Sequence, residues 1–120
     1  MKSFILLILL AVSGSAMASD ATDVMVEILA ELNHFPSEDD HSFLDEILAS
    51  GDATSEEKQL AAIIKRVQHK AAAEDVSALI AIEKKSADPA VRVIAGAVLS
   101  IDHKPSEAFL ARLNKIIDGD

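Results

Sequence analysis

The 120 residues contain no cysteine, which excludes a disulfide framework, a thiol nucleophile and a thiol-linked lipid anchor. Tryptophan and tyrosine are absent too, and phenylalanine occurs only four times, so any core must be built from Leu, Ile, Val and Ala. Lysine and arginine are missing from Ser19 to Glu57, a stretch that holds twelve Asp or Glu, whereas Lys58 to Asp120 carries ten basic against eight acidic residues. No ordered acidic loop with the glycine of a calcium site is present, and no glycine-rich phosphate loop. Serines and histidines fall mostly where caps and turns are expected, without the pattern of a catalytic triad, so the chain reads as a non-enzyme with no cofactor.

Residues 1–18 have the build of an export signal. Lys2 precedes the apolar run Phe4 to Val12, which is too short to span a bilayer, and Ala16-Met17-Ala18 supplies the small-residue exit. Cleavage after Ala18 is expected, giving a secreted protein, periplasmic if the source is a Gram-negative bacterium. Losing Lys2 takes the formal charge from -9 to -10. Such a protein repels nucleic acid and anionic lipid and favours a basic protein or peptide as partner.

From residue 19 onward one pattern recurs three times, over about 19–53, 54–87 and 88–120. Lined up on His34, His69 and His103, which lie 35 and 34 residues apart, apolar residues repeat at fixed offsets. Nine before each His stand Met25, Leu60 and Ile94; five before, Leu29, Ile64 and Val98; two before, Leu32, Val67 and Ile101. Ten after come Leu44, Leu79 and Leu113, and thirteen after, Ile47, Ile82 and Ile116. The spacing predicts two amphipathic helices per unit with a turn at each His, and units that cannot bury their apolar faces alone must pack on one another.

Local signals agree with that division. The first helix is expected to run to about Asn33, where His34-Phe35-Pro36 breaks it, and Ser37 and Asp40 make a capping-box pattern. The stripe Phe43, Leu44, Ile47, Leu48 follows, with Gly51 as terminator. Thr54 and Glu57 form a second capping box. The passage through His69 has neither Gly nor Pro, so an unbroken helix to Lys85 is a competing reading; it would put Val67 and Val76 on opposite sides, and a turn near His69 followed by a stripe of Val76, Leu79, Ile80 and Ile82 resolves this. Asp88 is an N-cap with Pro89 at the first helical position. Gly96 stands mid-helix, where close approach of a neighbouring helix would compensate its cost. The apolar residues around the 89–101 helix mean that either flanking helices or a second copy, as a homodimer, cover it.

Asp88-Pro89-Ala90-Val91-Arg92, followed by Ala95, Ala97 and Leu99, resembles the opening of HEAT and HEAT-like repeats. The resemblance implies stacked helix pairs that bind protein partners along an extended face. We therefore expect an all-α domain over 19–120, three stacked helical hairpins forming a short α-solenoid, acting as an exported non-catalytic interaction module. Asp39, Asp40, Asp45 and Glu46 on the first unit are the candidate residues for steering a basic partner. The alternative function is cation or metal binding through the acidic half and the turn histidines. His34, His69 and His103 brought together by packing could hold a transition metal, or each could simply cap the last carbonyls of its helix. A mixed site from His34, His41, Asp39 and Asp40 is a further metal candidate. Asp23, Glu27 and Glu31, four residues apart, form either a solvated face or a weak cation surface.

Overall fold

Every residue at the recurring offsets becomes core except Ile116, which is partly buried against it. Met25, Leu60 and Ile94 are fully enclosed, as are Leu29, Ile64 and Val98, and then Leu44, Leu79 and Leu113. The computed structural model describes residues 20–118, all-α, as six α-helices and no strand among those residues. The helices are α1 (Asp20–Ala30), α2 (Glu38–Ala49), α3 (Ser55–Lys65), α4 (Val76–Lys85), α5 (Pro89–Leu99) and α6 (Glu107–Asp118), with a 3-10 turn, Ala73–Asp75, leading into α4. The signal segment at 1–18 lies outside the described residues. No described helix is long and apolar enough to cross a membrane.

Both capping boxes form. Ser37 Oγ accepts the Asp40 N–H and Asp40 returns the bond to the Ser37 N–H; Thr54 and Glu57 do the same, and Asp88 Oδ1 accepts from Ala90 with Pro89 at the first helical position. The first helix stops at Ala30, short of Asn33, because the chain tightens into a 3-10 bond from the Leu32 N–H to the Leu29 carbonyl. The same bond recurs from Val67 to Ile64 and from Ile101 to Val98, which ends the helix before His69 and removes the unbroken-helix reading. α2 is ended by Ser50 in an extended conformation, and Gly51 keeps out of the left-handed region.

The helices do not pair as three successive hairpins. α1, α3 and α5 pack against one another at the centre, while α2 lies on α3, α4 on α5, and α6 on α1; α3 and α4 hardly touch. An open stack would hold its first and last helices apart, whereas here α1 and α6 are neighbours, so the arrangement closes on itself. The reason lies in the width of the apolar stripes. The outer helices bury only narrow ones, Leu44 with Ile47 on α2 and Leu79 with Ile82 on α4; Phe43 and Ile80, expected in the stripes, are left largely exposed, as is Ile117 on α6. The inner helices are apolar on several sides, and central packing satisfies them.

α5 is the extreme case, covered by α1, α3, α4 and α6, which accounts for its all-round hydrophobicity within a single chain. At Gly96 a Cβ would sit 2.5 Å from Phe109 Cε1 and 2.6 Å from Glu83 Oε2. The close approach is made by side chains of both flanking helices. Gly96→Leu is expected to lower stability by about 1–3 kcal/mol, although it improves helix propensity. A thermal melt equal to the parent's would mean that Phe109 and Glu83 swing aside without loss.

Candidate metal centre

Closure of the three units brings their turns to one point. His34, His69 and His103 are the non-glycine residues with positive φ among those described, at 77°, 69° and 72°. In that conformation each turn aims its backbone N–H and C=O along the direction of the next turn. The His34 N–H donates to the His103 carbonyl at 2.7 Å, the His103 N–H to the His69 carbonyl at 2.6 Å, and the His69 N–H to the His34 carbonyl at 2.5 Å. Three residues thus satisfy one another's backbone N–H and C=O in a ring with near-threefold symmetry. The histidine N–H groups do not fold back onto the last carbonyls of their own helices; they link unit to unit.

The side chains converge with the backbone. Ring centroids are 5.1, 4.8 and 5.0 Å apart, and the planes meet edge to face at 87°, 80° and 83°. One potential ligand nitrogen from each ring lies within 4.8 Å of the other two, and among the described residues this is the group of three able to hold a metal. Tetrahedral zinc with Zn–N near 2.0–2.1 Å needs nitrogens about 3.3 Å apart, so the rings must close by up to about 1.5 Å. His69 and His103 are exposed and His34 is half-buried, so small rotations about their side-chain bonds can supply that. Asp102 Oδ1 sits 3.1 Å from His103 Nδ1. Metal-bound imidazoles ordinarily give their second nitrogen to a carboxylate or carbonyl, which fixes the ring, and Asp102 is placed to do this for His103.

Left-handed backbone costs a residue with a side chain roughly 1–2 kcal/mol, and glycine or asparagine takes it more cheaply. Glycine would take all three positions more cheaply, so the three histidines carry a cost that the turn alone does not require, even though histidine meets this backbone more often than most side chains. Strain of this kind is typically retained where side chains have work to do.

Each turn is held by a different device. Pro36 and the Ser37 cap follow His34. Around His69, which has no proline, Arg66 Nε and Nη2 reach the two carboxylate oxygens of buried Asp75 at 2.9 and 2.8 Å. After His103, the Ser100 hydroxyl donates to the Ala97 carbonyl and accepts the Ser106 N–H at 3.0 Å.

The acidic residues singled out on the first unit are distributed differently. Asp39 is exposed in the first turn of α2, Asp40 is committed to the capping box, Asp45 pairs with Lys65, and Glu46 lines a shallow groove with Asp20, Val24 and Phe43. None of them joins His34, and His41 instead faces a cleft that it shares with Phe35, Lys65, Val67, Gln68 and His69. On α1, partial burial, and after it the charges of Asp20 and Glu27, push the Asp23 carboxyl above its ordinary range. Sequence reasoning weighed the three turn histidines but missed Asp102 and Phe35 beside them. The signal for both was adjacency to the recurring His.

No family model matches the chain, and no curated protein and no solved structure matches it either.

Proposed function

We propose that the protein binds one divalent transition-metal ion, zinc or copper, at His34, His69 and His103, and that it does so as an exported, non-catalytic protein of the periplasm. The observation that carries this is the convergence, within 4.8 Å, of ring nitrogens from three positions roughly a third of the chain apart. Imidazole donors suit zinc, copper and nickel, and they disfavour calcium and magnesium, which take oxygen. In this reading the three recurring sequence units, with their HEAT-like element at Asp88 to Arg92, are copies of one helix-turn-helix segment whose turn carries a single ligand. Isothermal titration with Zn²⁺ should show one site with a Kd below about 10 μM, weakened at least about 100-fold by His69→Ala. Absence of stoichiometric heat, or an unchanged Kd in that variant, would defeat the reading.

A second reading, an interaction surface for a basic protein, is favoured by the groove between α1 and α2. There Glu27, Glu31 and Asp40 border Val24, Ile28 and the half-exposed Phe43. Carboxylates around an apolar floor would steer and then anchor a basic segment. Replacing Glu27, Glu31 and Asp40 by their amides should then slow capture of a basic partner at low salt; equal association rates would leave these acids as a solubilising surface.

A further inference from the structure

His69 belongs to two features at once. It is one of the three converging rings, and it is also a wall of a surface cleft of about 390 Å³ whose other sides are Phe35, His41, Lys65, Val67 and Gln68. A metal held by the histidines would therefore lie at the edge of that cleft. Phe35, next in sequence to His34, is 58% exposed, the most exposed large apolar side chain among the described residues. Nothing in the helical packing accounts for a phenylalanine ring left in water there, whereas a ligand lying in the cleft would cover it.

Charge narrows the class of ligand. Three imidazoles are neutral donors, so a divalent ion among them keeps most of its charge, with the Asp102 carboxylate behind the His103 ring and outside the ligand set. A four-coordinate ion with three protein donors also keeps one position for an outside ligand. Lys65 in the cleft wall is neutralised by its pair with Asp45, so the ion itself is the source of positive charge there. The open position thus calls for an anion, and the exposed Phe35 calls for an apolar group behind it.

We infer that the metal centre takes as its fourth ligand the carboxylate of a small organic acid whose apolar end rests on the exposed ring of Phe35. This rests on the metal reading above and assigns the cleft to the same site. The cleft is within the size range of small-molecule sites and admits a single aromatic or short branched acid.

The test uses the full-length protein loaded with Co²⁺, whose visible absorption reports its ligands, titrated with benzoate and separately with acetate. Both anions should perturb the spectrum, benzoate with a Kd about tenfold lower, the change expected for removing one ring face from water. Phe35→Ala, at an exposed position where folding is not at stake, should bring the two Kd values together, and Phe35→Leu should keep part of the preference. Equal affinities in the parent, or a preference that survives Phe35→Ala, overturns the inference. Cobalt that binds with no response to either anion defeats this inference and leaves the metal reading standing. Failure to bind cobalt or zinc at all defeats both.

Discussion

Zinc at one hundred times its Kd is expected to raise the unfolding temperature by about 10–20 °C. A ligand at that saturation stabilises the native state by about 2.7 kcal/mol, and each kcal/mol moves the midpoint of a domain this size by about 4–8 °C. The partner measurement separates metal from fold. His69→Gly should abolish the shift, yet leave the metal-free protein within about 1 kcal/mol of the parent, because glycine relieves the left-handed strain while it forfeits two edge-to-face ring contacts and adds freedom to the unfolded chain. The backbone ring needs only the His69 N–H and C=O, and glycine keeps both. A zinc-dependent shift that persists in His69→Gly would show that the ion binds elsewhere, for instance along the acidic face of α1.

Arg66→Ala should destabilise by about 2–3 kcal/mol. Asp75 is 6% exposed, and its two carboxylate oxygens take the bidentate pair from Arg66. Removing one partner strands a buried charge, which costs about 3–5 kcal/mol where both partners are enclosed; Arg66, 46% exposed, sets the value lower. Replacing both at once, Arg66→Met with Asp75→Leu, should recover most of the loss, since a buried pair contributes little over apolar side chains of similar volume. Chemical denaturation distinguishes the outcomes: a single variant within about 0.5 kcal/mol of the parent would mean that Asp75 finds water or another donor. The pair also spans the only turn of the three with no proline. Its loss should therefore loosen His69 and weaken zinc binding several-fold even at temperatures where the variant stays folded.

The helices and nearly all of their buried faces were legible in the sequence, because the offsets from the three histidines encode one packing solution written three times. Met25, Leu60 and Ile94 could be assigned to the core without coordinates, and so could the caps at Ser37, Thr54 and Asp88. Closure was not legible. A 34-residue period says that neighbouring units touch, and it is silent on whether the last also touches the first; that depends on how far each unit rotates relative to the one before, which no single residue encodes. The convergence of the three histidines, weighed in the sequence as one of two alternatives, was undecided because of the same gap. Read as a ladder, the histidines would sit in a row with their separations set by helix diameters; read as a closed set, they meet. The left-handed backbone was within reach, since a non-proline break between two apolar stripes at Gln68-His69-Lys70 needs an unusual φ somewhere, and histidine is one of the few side chains that tolerates it. The outer residues Phe43 and Ile80 were misplaced because the spacing marks a face and does not give its width.

The ring of three backbone hydrogen bonds has a numerical consequence. Each histidine N–H in it is already given to a carbonyl of another turn, so the set is complete at three and has no free donor with which to recruit a fourth. Linear arrays of helix pairs lengthen by duplication, each new copy docking on an exposed end. Here there is no end: an added copy would have to break one link of the ring and widen the histidine cluster beyond the reach of a single ion. The number of units and the number of converging histidines are therefore one quantity.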